Sequence, residues 1–354
     1  MDEEVQALLN NRTWILVRRP TNTNIIGSKW VFRIKYLPDG SIEHLKARLV
    51  AKGYTQVPGL NYTNSFSSVI KATTVHVVLS LAVTNKWPFR QLDVKNTFLN
   101  DYLTKHVYME QPPSRADTSL FIYHKHSDII YLLLYVDDMI ITCNNSSLLA
   151  SFTWKLNYKF ATKDLGPPSS FFGLESTTTS DGLFINQLKY TRDILTRAQL
   201  LDSKPIHIPM IVSQTLSADG LLFSNPTLYR SLVGALQYLI ITLPDIAHVV
   251  NSINQFLHSP IEDYFLAVKC ILLYVKGMLH FGLIFRPSAA PSTLVAYFDA
   301  DWADCPDTHR STSGYYIYFG GKLVSWSAKK EPTVSRSSCE SEYRALALTT
   351  AELL

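Results

Sequence analysis

The 354-residue sequence has no long hydrophobic run. The longest near its middle, Ile129 to Val136, is eight residues and stops at Asp137 and Asp138. A membrane-crossing helix needs about 20 apolar residues, so no membrane span is expected. Cysteine is scarce: Cys143, Cys270, Cys305 and Cys339 each stand more than thirty residues from the next. That spacing excludes a local zinc or redox CxxC pair and is expected of reduced thiols in the cytoplasm or nucleus. The start, Met1-Asp2-Glu3-Glu4, is acidic where a signal peptide is basic, so secretion is not expected. Charged residues are only 18%, against about 25% in an average soluble domain. With 47% apolar residues the chain can bury a core, which excludes disorder as its main state. There is no internal repeat and no low-complexity tract.

What is present is unevenly distributed. The chain as a whole carries a net charge of +4, but Trp14 to Gln56 alone holds eight basic residues against Asp39 and Glu43. The basic residues include Arg18, Arg19, Lys29, Arg33, Lys46 and Arg48, and they alternate with Trp14, Trp30, Phe32 and Tyr36. A basic, aromatic-bearing stretch suits a polyanion such as nucleic acid. A solvated hairpin with snorkelling lysines has the same composition.

Periodicity predicts mixed helix and strand. Trp30–Tyr36 and Ile42–Ala51 flank Pro38-Asp39-Gly40, a hairpin signal in which Pro presets φ and Gly supplies a positive φ. Val75, Val78, Leu79 and Ala82 have helical spacing within Thr74–Thr84. Strands are predicted at Phe89–Val94, Ser119–Tyr123, Ile129–Val136, Met139–Thr142, Phe171–Thr177 and Leu183–Asn186. Helices are predicted at Leu148–Phe160 and Lys189–Leu201. Beyond a Pro/Ser-containing linker at Asp202–Thr227 come helical patterns near Thr227–Ile241, Asp245–Leu257 and Asp263–Lys276. A second linker, Arg286–Thr293, leads to strands Leu294–Phe298, Tyr315–Phe319 and Lys322–Ser327. The last helix starts near Ser338, where Ser337 and Glu340 form an S-x-x-E capping box.

The most informative segment is Leu132–Thr142, LLLYVDDMIIT. Two adjacent carboxylates between apolar strands repel one another and resist burial unless a cation neutralises them. Mg²⁺ is the natural partner, because it takes one or two carboxylates plus phosphate oxygens. A polar turn with both acids in water is the alternative. Asp93, at the end of Phe89–Val94, adds a further carboxylate. Neighbouring strands delivering Asp93 and Asp137 to one place would clamp two metals for phosphoryl or nucleotidyl transfer.

Nine words run in order along the chain: Gly27–Phe32 (GSKWVF), Lys46–Gly53 (KARLVAKG), Gln91–Asn96 (QLDVKN), Val107–Pro113 (VYMEQPP), Tyr135–Asp138 (YVDD), Lys163–Gly166 (KDLG), Tyr229–Gly234 (YRSLVG), Asp299–Ala303 (DADWA) and Ser337–Tyr343 (SSCESEY). With them the sequence resembles the reverse transcriptase region of copia-type long-terminal-repeat retrotransposon polyproteins. The resemblance implies an α+β fold: right-hand polymerase fingers and palm with an antiparallel sheet over 1–212, a helical thumb or connection region over 213–290, and the N-terminal part of an RNase H-like α/β domain over 291–354. It implies an RNA-directed DNA polymerase acting by two-metal nucleotidyl transfer, with Asp93, Asp137 and Asp138 as the metal-binding catalytic residues and two Mg²⁺ ions, or Mn²⁺ in their place. Lys46 and Arg48 match basic residues near the incoming triphosphate. Asp299 and Glu342 match RNase H carboxylates, Asp301 falls on the face of Asp299, and Glu340 goes to the helix cap. The implied partners are an RNA/DNA primer–template and deoxynucleoside triphosphates, with no membrane.

The chain also departs from that family. A long segment that supports template and nucleotide base is missing near 113–114, so the palm is expected to lack a covering helix and to bare the sheet face of Leu132 and Leu134. The later RNase H carboxylates have no counterpart, so RNase H activity is expected to be absent. Thr97, Asn61, Ser68 and Leu243 replace usual residues, as in a drifting element. The expectation is an impaired polymerase. The competing readings are a non-catalytic nucleic-acid binder using the basic region, and a degenerate remnant with no role.

Overall fold

The computed structural model describes residues 28–36, 42–51, 70–94, 119–135, 138–160, 162–210, 220–288 and 293–353. They fall into two compact units. The first holds β1 (Ser28–Tyr36) and β2 (Ile42–Ala51), paired antiparallel, with Arg33 opposite Lys46 and Val31 opposite Arg48. A register irregularity sits between Lys35 and Tyr36. The hairpin predicted from Pro38-Asp39-Gly40 therefore forms, although its turn lies outside the described residues.

The second unit is built on a five-stranded antiparallel sheet in the order β4-β5-β6-β3-β7. Its strands are β3 (Phe89–Val94), β4 (Leu120–Lys125), β5 (Asp128–Tyr135), β6 (Asp138–Cys143) and β7 (Thr162–Gly166). Strand alternation sends successive side chains to opposite faces, and each face takes one helix. Leu133 and Ile140 pack with Ile70 and with Val75, Val78 and Leu79 of α1 (Ala72–Thr84). Leu92, Ile130, Met139 and Ile141 pack with Leu149 of α2 (Ser146–Phe160), beside Leu148, Phe152 and Leu156. Leu132 and Leu134 belong to this second cluster and are half-buried. The face expected to be bare is thus partly covered by α2, the helix immediately following β6. Exposure concentrates instead on the edge strand β4, at Ile122 and Tyr123, and on Trp154 and Tyr158 of α2.

A second sheet, in the order β11-β10-β9-β8, comprises β8 (Ser170–Phe171), β9 (Leu174–Thr179), β10 (Gly182–Asn186) and β11 (Leu283–Phe285). The single strand predicted at Phe171–Thr177 is broken because Phe172 and Gly173 take φ of 52° and 66°. Two successive positive φ values fit the tight turns that reverse a twisted hairpin. A Cβ at Gly173 would stand 2.7 Å from the Tyr238 hydroxyl oxygen, so a side chain there would have to displace Tyr238 as well as adopt a positive φ.

The helical layer holds α3 (Leu188–Arg197), α4 (Pro226–Leu239), α5 (Ala247–Asn254) and α6 (Glu262–Gly277) around the largest core cluster. Asn225 caps α4 by accepting from the Leu228 N–H at 3.0 Å, with Pro226 in the first turn. The Tyr229 hydroxyl, buried, donates to the Ile253 carbonyl at 2.7 Å and ties α4 to α5.

The last sheet is β12 (Leu294–Ala300), β13 (Thr312–Phe319) and β14 (Lys322–Lys330), in that order, followed by α7 (Ser338–Leu353). It shares a core with the first sheet: Ile317 and Val324 cluster with Ile70, Val75 and Leu133. Across this seam the His76 Nδ1 donates to the Val324 carbonyl at 3.1 Å, and the imidazole stacks on Trp326 at 5.2 Å between ring centres. Burial lowers the His76 pKa to about 4, against the opposing pull of the Val324 and Ile241 carbonyls. The Lys322 ammonium reaches the Thr84 hydroxyl at 2.5 Å, and the Trp326 indole N–H donates to the Ile240 carbonyl at 3.1 Å. Among the described residues no helix is long and apolar enough to cross a membrane, and all four cysteines are free.

Candidate active site

The site is a single row across four strands. Tyr135 on β5 lies opposite Asp138 on β6, Asp138 opposite Asp93 on β3, and Asp93 opposite Lys163 on β7. Residues directly opposite in an antiparallel pair share a face and bring their Cβ atoms within about 4.5–5.5 Å. The local sequence explains the arrangement. The apolar run 129–134 commits β5 to the interior, and the next strand begins at Asp138, leaving 136–137 to join them. Asp137 lies outside the described residues. Asp93 and Asp138 are both half-buried, and the pairing sets two carboxylates side by side with a lysine next in line.

Three supports of this row were not singled out from the sequence. Gln91, two residues before Asp93, is buried; its amide donates to the Ser170 carbonyl at 2.6 Å and accepts from the Ser169 N–H at 3.2 Å. It fastens β3 to the chain entering the β8–β9 hairpin. The tip of that hairpin then packs on the row: Phe172 meets Tyr135 edge-on at 4.8 Å and Tyr238 at 5.7 Å, and Tyr190 meets Tyr238 at 5.0 Å. The Tyr238 hydroxyl donates to the Phe172 carbonyl. Burial, with the neighbouring Tyr135 and Tyr190, pushes the Tyr238 phenol up to about 12, so it stays a donor across the physiological range. Lys163 is the third. Its KDLG word was visible, but its place beside Asp93 depends on a strand pairing that no local pattern reveals.

Carboxylates supply the oxygen donors that Mg²⁺ and Mn²⁺ prefer, so Asp93 and Asp138 fit as two ligands. Among the described residues no group of three His, Cys, Asp or Glu side chains is gathered to hold a metal. The remaining candidate residues lie elsewhere. Lys46 and Arg48 are on β2 of the first unit, two positions apart. Asp299 is exposed on β12 opposite Gly314, and Glu342 is half-buried on α7. Their acidic neighbours are engaged structurally. Asp301 accepts from the Thr312 N–H at 2.9 Å, and Glu340 accepts from the Arg336 N–H at 2.8 Å and from the Arg344 guanidinium at 2.6 Å. The Glu340 N–H donates to the Ser337 hydroxyl at 3.2 Å, the cap predicted for this helix. Glu331, buried, accepts from the Ser313, Ser335 and Arg344 side chains.

Comparison with known proteins agrees with the motif order. The family model described as "Reverse transcriptase (RNA-dependent DNA polymerase)" matches two stretches, residues 11–119 and 113–212. The chain is 40% identical to the "Retrovirus-related Pol polyprotein from transposon RE1" of Arabidopsis thaliana, across the whole chain and 27% of that relative. It is 32% identical to the "Retrovirus-related Pol polyprotein from transposon TNT 1-94" of Nicotiana tabacum, again over the whole chain and 31% of the relative. An uncharacterised mitochondrial protein of Arabidopsis thaliana is 45% identical over 63% of this chain and 93% of its own length. The chain thus spans about a quarter to a third of the polyproteins it matches. It aligns with the RE1 relative over 398 positions, 44 more than it has residues. The chain belongs to the reverse transcriptase (RNA-dependent DNA polymerase) family, among the Pol polyproteins of copia-type retrotransposons.

Proposed function

We propose that this chain is the polymerase region of a copia-type Pol polyprotein, with Asp93, Asp137 and Asp138 as its metal-binding catalytic carboxylates and with its activity impaired. The observation that carries the reading is the direct pairing of Asp93 with Asp138 at one end of a buried antiparallel sheet. In the reaction a primer 3′-hydroxyl attacks the α-phosphorus of a deoxynucleoside triphosphate, a new P–O bond forms, and pyrophosphate leaves. Asp93, Asp137 and Asp138 would hold two Mg²⁺ ions, or Mn²⁺ in their place, which would supply Lewis-acid stabilisation of the charge that develops in the transfer. The two paired carboxylates concentrate negative charge at one level of the sheet, and Asp137, next in sequence to Asp138, would add to it. Lys163 sets an ammonium on the same row and offsets part of the repulsion among the acids. Gln91 and the Phe172 turn hold the strands that carry them. On the first unit, Lys46 and Arg48 serve the triphosphate as charge-assisted donors.

Impairment is supported by the family match falling into two stretches that meet at 113–119 and by the 44 positions of the RE1 relative without a counterpart. A segment that held template and nucleotide base would be lost there. In-line transfer tolerates little misplacement, about 1 Å costing roughly 100-fold. The division into polymerase over 1–212, connection over 213–290 and RNase H-like module over 291–354 belongs to the same proposal. No hybrid cleavage is expected of the last module, where Asp299 and Glu342 alone would hold too few ligands for a metal pair.

Primer extension on an RNA template with Mg²⁺ tests the reading. Trace extension is expected, lost on Asp138→Asn and raised strongly when the residues that the RE1 relative carries between the two matched stretches are inserted at 113–114. Failure of that insertion to raise activity would sink the impairment. Extension indifferent to Asp138→Asn would sink the site. A second reading, nucleic-acid binding without catalysis, is favoured by the separate compact unit that carries Lys29, Arg33, Lys35, Lys46 and Arg48 on one hairpin. Its mark is primer–template affinity that falls steeply with salt and survives Asp138→Asn.

A further inference from the structure

α2 turns a stacked aromatic pair outward. Tyr158 lies about two and a half turns beyond Leu149, and Trp154 about half a turn before Leu156, so both rings stand opposite the side chains that α2 buries on the sheet. Trp154 is 66% and Tyr158 83% exposed, and they stack on one another, 5.7 Å between ring centres and 13° from parallel. A further helix laid on the sheet beside α2 would touch its flanks and leave this stripe open, so the exposure does not depend on the missing covering segment. Lys155 and Lys159, both exposed, run alongside the rings, and α2 has no Asp or Glu in its fifteen residues. Ser147 and Asn157 are exposed on the same side. Single surface aromatics are ordinary. A stacked pair edged by two ammonium groups, with no carboxylate on the helix, complements a ligand that has flat rings on a negative backbone.

We propose that this stripe is a platform for a single strand of nucleic acid, an unpaired base continuing the Trp154–Tyr158 stack while Lys155 and Lys159 hold the flanking phosphates. Every base has a π-face, so such a platform tolerates any sequence. The Ser147 hydroxyl and the Asn157 amide can add contacts to phosphate or sugar, which carry no sequence information either. A duplex fits poorly, because its base faces are stacked within the helix. The platform is separate from the candidate active site. Leu92 and Met139 pack with α2, and strand alternation sends their neighbours Asp93 and Asp138 to the opposite face of the sheet. It also lies on a different compact unit from Lys46 and Arg48. Binding at α2 is therefore independent of catalysis at the row of acids.

Ultraviolet cross-linking of the full chain to a single-stranded RNA carrying 5-bromouridine, with the attachment points read by mass spectrometry, tests the proposal. Attachment at Trp154 or Tyr158 is expected, and little there when the same RNA is in a perfect duplex. Titrating the RNA while following attachment at α2 alone gives a second reading, blind to the hairpin of the first unit. Trp154→Ala should raise the half-saturating RNA concentration roughly tenfold. Lys155→Ser with Lys159→Ser should make the fall of log affinity with log salt shallower by about 0.7 for each lysine replaced. These side chains are exposed, so the fold tolerates the changes. Asp138→Asn should leave attachment at α2 intact, which separates failure of the active-site reading from failure of this one. Attachment confined to Ser28–Ala51, equal attachment of single strand and duplex at α2, or half-saturation and salt slope untouched by the substitutions would each overturn the proposal.

Discussion

The first and last sheets of the second unit both carry acidic motifs, and they use them differently. In the five-stranded sheet the pairing of β3 with β6 sets Asp93 against Asp138. In the three-stranded sheet Asp299 stands opposite a glycine, while Asp301 is bonded to the Thr312 N–H and Glu331 to two serine hydroxyls. A motif therefore says which acids are available. Register and hydrogen bonding decide whether they converge on a ligand or hold the backbone.

The sharpest way to break this contrast is to neutralise one acid in each sheet. Asp138→Asn is expected to lower residual primer extension by on the order of 10²-fold or more, the scale of removing one electrostatic stabiliser from an active site. Asp299→Asn is expected to leave extension unchanged. Equal effects in the same assay would erase the distinction.

The seam between the sheets gives a pH prediction. His76 has a folded pKa of about 4, below its unfolded value near 6.5. The folded state thus favours the neutral ring, and stability falls as pH drops from about 6.5 towards 4, levelling off below. The full loss is roughly 3 kcal/mol by linkage. Denaturant titrations across that range should show it, and His76→Phe, which keeps an aromatic ring against Trp326, should flatten the acid limb.

Glu331→Ala should cost roughly 2 kcal/mol in the same titrations, because it strips a buried acceptor from the Ser313 and Ser335 hydroxyls. It should leave the metal binding proposed for Asp93 unaltered, as a structural acid requires. The smallest effect belongs to Ser337→Ala, a lost helix cap worth about 1 kcal/mol, read as a modest fall in melting temperature.

Much of this fold was legible because the information was local. β3 spans Phe89–Val94 as predicted, and β5 and β6 each lie within one or two residues of the predicted strands around Asp137-Asp138. The break at Phe172 was not legible, since a phenylalanine with positive φ carries no warning in its identity. The cover that α2 gives Leu132 and Leu134 was also missed, because helix spacing shows that a face is apolar without saying which surface receives it. Of the candidate site, the acids could be named from their motifs. Their row, with Lys163 at its end and Gln91 beneath it, depends on pairings between strands far apart in the chain, which periodicity does not encode.

The hydrogen bond from His76 to Val324 joins residues 248 apart in sequence. On a ribosome adding about 5–20 residues per second, the α1 side of that core waits about 12–50 seconds for its partner. Until β14 emerges, the apolar face around Val75 and Val78 has only a partial cover. Contacts this distant also slow folding. For this chain the hazardous interval is therefore during synthesis, and whatever shields α1 then, a chaperone or the pace of translation itself, governs how much of the protein reaches its native form.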